Sequence, residues 1–370
     1  MPIRRPTARR RPAAALGAVG LATTLALAGC TSGESGAAGS TSPTAGTPGA
    51  AGTATSSSAA ITSSSPATTS AVPTTAAPTG AETPEAAAQA VAGLLRAQSA
   101  SAAQLGAAGT TARGMVYAGD ALVAANARVR LVSLLTADQK ADLALSPDGA
   151  VVLGQSRGPA FPRLMVAKAA TAKSGNPVLL LLVRASEQNG YQIAHQAYLL
   201  PGQVGALDKT TVGSPPLAGL GGLVIAPDAF FATYAAALAF PAPATQDPAI
   251  PVDPFFGSIR DNATKQATSL RAIGTVTQVH TPKGDLAGLQ LPGGKGVLVF
   301  GVLDRKETVT ETTPNALNAT PAFKLLSGKS VIDKKAVLGA LEFLVVEIPV
   351  GTGQPRVVAA QDQLVSASGS

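Results

Sequence analysis

This chain has one cysteine, Cys30, no tryptophan and only two histidines in 370 residues. A lone cysteine forms no internal disulfide, and it excludes every zinc or iron–sulfur site built from several thiolates. Neither histidine has a second ligand at helical or strand spacing, so no metal site is expected. Positive charge is scarce once it is located. The formal +7 includes Arg4, Arg5, Arg9, Arg10 and Arg11, with no acid in the first thirty residues. Beyond that segment 23 basic side chains face 21 acidic ones. Aromatics are only 4% of the chain, so the basic, aromatic-rich stripe of a nucleic-acid binder is missing as well. Nucleic acid is not an expected partner.

What is present begins at the N-terminus. The stretch "MPIRRPTARRRP" is basic, and Ala13 to Ala28 run sixteen residues without a charge. That is short of the ~20 residues a membrane span needs, and it suits the apolar region of a secretion signal. Leu27-Ala28-Gly29-Cys30 follow. This box resembles the lipobox of bacterial lipoproteins. The resemblance implies a signal peptide over 1–29, cleavage between Gly29 and Cys30, and a diacylglyceryl group on the Cys30 thiol. The lipid partner would then be the cell membrane, with the chain on its extracytoplasmic face. Two acyl chains hold a protein stably where one is marginal. "RRRPAA" lacks the apolar pair that a twin-arginine signal places after its arginines.

Residues 31–82 are rich in Ser, Thr, Ala, Gly and Pro, and their only large aliphatics are Ile61 and Val72. Such a segment buries too little apolar surface to offset its ordering entropy. It is expected to be a disordered tether, with a root-mean-square reach of about 40 Å.

From Thr83 the texture changes. Thr83-Pro84-Glu85 has the cap, first-turn proline and first-turn acid of a helix start. A second helix is expected near 120–131. Strand-like runs follow at 149–154, 163–170, 177–185 and 191–199. The order then recurs. Ala226-Pro227-Asp228 echoes Thr83-Pro84-Glu85, helices are expected over 225–240 and 253–270, and strands at 272–281, 285–291, 296–312, 336–349 and 356–367. "HTPKGDL" and "LPGGKGV" read as hairpin turns. "DRKETVTET" reads as a solvated face, as on an edge strand, whereas "PVLLLLV" and "FLVV" read as strands buried on both faces. The expected fold class is therefore α+β. It comprises two tandem lobes, 83–222 and 223–370, each with helices on one face of a curved antiparallel sheet. Such units resemble NTF2-like or cystatin-like domains.

Catalytic motifs are imitated rather than built. "GQSRG" places Ser156 in a G-x-S-x-G pattern, but Pro159 and Pro162 oppose the helix that a nucleophile elbow needs. "SGKS" at 327–330 looks like the end of a phosphate loop, with Phe323 where the first glycine belongs. His195 shares strand parity with Ile193 and Ala197, so it is expected in the core. Asp261, Asp304, Glu342 and Glu347 are scattered, and the last two face opposite sides of one strand. No catalytic residue and no cofactor is expected.

Phe161-Pro162-Arg163, then Tyr191 with Leu199-Leu200-Pro201, then Ala226-Pro227 with Tyr234, are similar to a pattern in a family of actinobacterial lipoproteins. That family carries a domain of unknown function, so the resemblance implies an address and a fold but no reaction. The expectation is a ligand- or partner-binding envelope protein that takes a small apolar molecule or an envelope protein. A wall- or lipid-directed hydrolase and an envelope assembly factor are the alternatives.

Overall fold

The computed structural model describes residues 80–312 and 317–369. Gly29, Cys30 and nearly all of the expected tether lie outside the described residues. The first helix is α1 (Pro84–Ser101), capped as expected: Thr83 Oγ1 accepts a hydrogen bond from the Ala86 amide at 3.2 Å. Val91 and Leu95 are buried on its inner face. Then come α2 (Gly106–Val116), α3 (Gly119–Arg130) and the single turn α4 (Ala137–Ala141). Strands β1 (Leu145–Gln155), β2 (Arg163–Thr171), β3 (Pro177–Arg184) and β4 (Gln192–Leu199) complete the first half.

In the second half, α5 (Pro227–Leu238) and α6 (Pro254–Leu270) precede β5 (Gly274–Gln290) and β6 (Gly296–Glu311). Asp253 caps α6 through the amides of Phe255 and Phe256. A small insertion follows, made of β7 (Leu317–Asn318), α7 (Pro321–Ser327) and β8 (Val331–Ile332). The long strands β9 (Lys335–Pro349) and β10 (Arg356–Gly369) close the chain.

Eight strands form one antiparallel sheet in the order β1-β2-β3-β4-β10-β9-β6-β5. Each half contributes four neighbours, and they join where β4 meets β10 through two residue pairs, Tyr198–Ala360 and Leu199–Ala359. The sheet folds sharply there. The His195 ring on β4 lies 5.1 Å from Phe343 on β9 and 5.2 Å from Phe300 on β6, centroid to centroid. Neighbouring strands lie ~4.8 Å apart, so β6, three strands over, would be ~14 Å away in a flat sheet. Folding lets the two halves share one core. Leu179 to Leu182, Phe300, Leu341 and Phe343 pack there with Ala87, Val91, Leu95 and Ala124 from the first helices. The alternate residues of β6 and β9, including Val299, Leu303, Leu344 and Val346, pack instead under Phe230, Phe231, Phe256 and Ile259 of α5 and α6. These strands are thus covered on both faces, by the other half on one side and by helices on the other. A third cluster joins Phe323 and Leu326 of α7 to Leu270, Val276, Val309 and Leu338.

The structure corrects several expectations. "HTPKGDL" is no hairpin. β5 runs straight through it, paired with β6 on both sides, with a bulge between Lys283 and Ala287. The bulge sits opposite Gly301, where a side chain would meet the Phe231 ring at 2.5 Å, so the glycine admits the helix. "DRKETVTET" is not an edge strand, because β6 lies between β5 and β9. Its charges at Arg305 and Glu307 are paired beneath α6 rather than solvated. The chain is also fastened from Gly80, three residues ahead of Thr83: the Gly80 amide donates to Thr211 O, and Gly80 forms an isolated antiparallel β-bridge with Arg157.

Candidate functional site

The densest set of ionisable groups lies on the helix-facing side of β5, β6, β9 and β10. His280 stands opposite Arg305, and Glu342 stands opposite Asp362. These positions share one face because each pair is in register and residues two apart point the same way. His280 Nδ1 is 2.9 Å from Glu342 Oε2, and both side chains are fully buried. The other Glu342 oxygen accepts from Arg305 at 3.2 Å, and Arg305 also donates to Asp362 at 3.0 Å. Two residues further along, Gln278 donates to Glu307 at 2.7 Å and Gln266 of α6 donates to the same carboxylate at 2.6 Å.

Burial opposes the charge on Arg305, but Asp362, Glu342 and Glu307 outweigh it and hold the guanidinium above its ordinary value. Burial raises the Asp362 carboxyl, with Arg305 pulling the other way. At the margin of the same face, the Tyr234 hydroxyl donates to Asp253 at 2.8 Å. Burial first, then the Asp253 charge, pushes that phenol well above its usual range.

In form, His280 and Glu342 are a base and its orienting acid. His280 Nε2 is buried and makes no hydrogen bond. Among the described residues, no hydroxyl or thiol nucleophile is hydrogen-bonded to it. Ser156 lies elsewhere: its amide donates to Leu164 O, and its hydroxyl accepts from the Leu164 amide at 3.0 Å. That reciprocal pair and the bridge to Ser214 make "GQSRG" an ordinary strand end. "SGKS" is the end of α7, where Gly328 takes the left-handed conformation at φ 76° and its amide closes the helix on Lys324. His195 is in the core as its parity predicts. Its Nε2 lies 3.2 Å from Gly301 O, and burial holds the imidazole down to about 4, so it is neutral. Among the described residues, no cluster of three or more His, Cys, Asp or Glu is arranged to hold a metal ion.

A second feature lies at the seam between the halves. A small cavity is lined by Tyr117, by Ala121, Ala124, Ala125 and Arg128 of α3, and by Gln196, Phe343 and Gln361 from three strands. The alanines let α3 approach closely, and Gln98 donates to the Tyr117 hydroxyl at 2.9 Å. The Oε1 atoms of Gln196 and Gln361 are buried without a hydrogen-bond partner. Unsatisfied buried carbonyls carry a desolvation cost of ~1–3 kcal/mol each, which a donor entering the cavity would relieve. Sequence reasoning missed both glutamines. Strict alternation puts Gln196 on the face opposite His195, and only the fold, which buries β4 on both faces and brings it to β10, places the two glutamines together.

Among the described residues no helix is long and apolar enough to cross a membrane. Compared with known proteins, the chain matches no family model, no curated protein and no solved structure.

Proposed function

We propose that this chain is a bacterial lipoprotein, of the actinobacterial type its motifs resemble. It would be held on the extracytoplasmic face of the cell membrane by a diacylglyceryl group on Cys30, and its folded part would bind a ligand or an envelope partner. The anchor rests on one observation, the basic leader and apolar run that end in Leu27-Ala28-Gly29-Cys30. Binding rather than catalysis is supported by how the reactive side chains are used. His195 is a neutral core group, and Ser156 is satisfied by backbone. The twofold recurrence of helices followed by four antiparallel strands favours two NTF2-like or cystatin-like units fused edge to edge.

Two experiments test this reading. In cells, Cys30→Ala should move the protein from the membrane to the soluble extracytoplasmic fraction; a variant that stays with the membrane removes the anchor. Native mass spectrometry of the purified protein should show a co-purifying small ligand; a ligand-free protein with a reproducible crosslinked partner favours an assembly role instead. The hydrolase reading is favoured by one observation, the free Nε2 of His280 beside Glu342. Turnover of wall or lipid substrates that His280→Gln abolishes would establish it instead.

A further inference from the structure

Arg163 at the start of β2 and Arg184 at the end of β3 are direct cross-strand partners. Like charges placed opposite one another destabilise a sheet unless something of opposite sign stands between them. Here it is a single oxygen. Oε1 of Glu82 accepts from Arg184 at 3.0 Å and from Arg163 at 3.3 Å. The Phe161 ring lies under both guanidinium groups, 4.6 Å from Arg163 and 5.8 Å from Arg184. Thus Phe161 and Arg163 of the "FPR" motif are parts of one ion-binding surface.

The backbone around Glu82 is read as well. Gln155 Oε1 accepts from the Glu82 amide at 3.0 Å, and its Nε2 donates to the Glu82 carbonyl at 2.6 Å. Arg163 also donates to the Ala81 carbonyl at 3.3 Å. Two residues back, a side chain at position 80 would place a Cβ 2.1 Å from the Thr210 carbonyl, so only glycine fits. Beside the arginines the Tyr191 hydroxyl is buried without a partner. Backbone pairing, a size filter at one residue and a charge clamp two residues on are the elements by which proteins recognise extended acidic peptides.

We propose that Phe161, Arg163, Arg184 and Gln155 form a receptor for a Gly-x-Glu peptide, occupied in cis by Gly80-Ala81-Glu82. The receptor fixes the place where the chain joins the folded unit. Resting on the lipid-anchor reading, it is also the point through which a pull from the membrane reaches the domain.

Hydrogen exchange of the full chain tests the cis contact. In Glu82→Gln and in Arg163→Gln/Arg184→Gln, exchange of the 80–82 amides should accelerate about tenfold or more, the scale of a lost charge-assisted contact. The β9 and β10 amides should exchange as in the wild type, which shows that the variants fold. A fluorescent peptide PTGAETP should bind the Glu82→Gln chain at least tenfold more tightly than the wild type, whose site is filled. It should not bind Glu82→Gln/Arg163→Gln/Arg184→Gln. Unchanged exchange at 80–82 overturns the inference, and a peptide that ignores the Glu82→Gln chain overturns the receptor. Membrane fractionation of Glu82→Gln separates this from the anchor: release would not be expected, because Cys30 is untouched.

Discussion

Glu342 shows what a buried ion in this fold requires. Its two oxygens serve His280 and Arg305, and its side chain has no exposed surface. Such a group is stable only while both partners remain, because a buried charge stripped of its partner keeps its desolvation cost. Glu342→Ala strips Arg305 of one of its two ion-pair partners and His280 of its carboxylate, and should destabilise the protein by about 3–5 kcal/mol. Urea unfolding at pH 7 measures it; a midpoint shift worth under ~1 kcal/mol would mean that the network relaxes freely. His195 makes the opposite case, a histidine kept neutral. Its folded pKa is about 4 against 6.5 for the free group. The unfolded chain therefore takes up the extra proton as pH falls from about 6.5 towards 4, and stability drops through that window by ~3 kcal/mol. Asp253 and Asp362, both raised by burial, act in the opposite sense as pH falls towards 3.8 from above. A comparison with His195→Gln isolates the histidine: the variant's stability should fall less steeply between pH 6.5 and 4. Parallel profiles would contradict a neutral core imidazole.

Among the elements, those with strong local signals were legible. Thr83-Pro84 opens α1 and Asp253-Pro254 opens α6 because caps and first-turn prolines act within a few residues. β3 and β9 were recognisable from unbroken aliphatic runs. By contrast α2 was missed. Its sequence, "GAAGTTARGMV", is poor in helix formers, and tertiary contacts hold it: Arg113 donates to Gln104 O at 2.6 Å and to Asn126 Oδ1 at 2.7 Å. The β5 bulge was read as a turn because Pro282, Gly284 and Asp285 carry turn chemistry, and only pairing with β6 keeps the strand going. That bulge depends on Gly301. Gly301→Ala drives a methyl into the buried Phe231 ring and should cost about 1–3 kcal/mol, the range for overpacking. Thermal unfolding checks it, and Phe231→Leu in the same chain should recover part of the loss. A Gly301→Ala chain as stable as the wild type would mean that α5 is free to shift.

At the scale of the molecule, the two halves are joined less by hydrogen bonds than by packing. β4 and β10 pair over two residues, yet β3, β4, β6 and β9 interleave in one core. A fragment of residues 80–222 would expose the faces of Leu180, Ile193 and Ala197 that now meet Phe300, Phe343 and Val345. It should not fold as a stable monomer, and the intact chain should unfold in a single transition seen alike by far- and near-ultraviolet circular dichroism. A cooperative, soluble 80–222 fragment would show that each half is autonomous.

Element order could be read from residues alone, because caps, aliphatic runs and strand alternation are local properties of the chain. The α+β class followed from them, and so did the core position of His195. Contacts between distant segments were not readable, since nothing in "RKET" or "LEFL" states which strand will lie beside it. Only folding sets His280 on β5 against Glu342 on β9, or turns the β4–β10 seam into a shared core. The same holds for Glu82, which looked like the last residue of a tether. Local chemistry left it unremarkable, and it became a ligand only when β2 and β3 placed two arginines on either side of one oxygen.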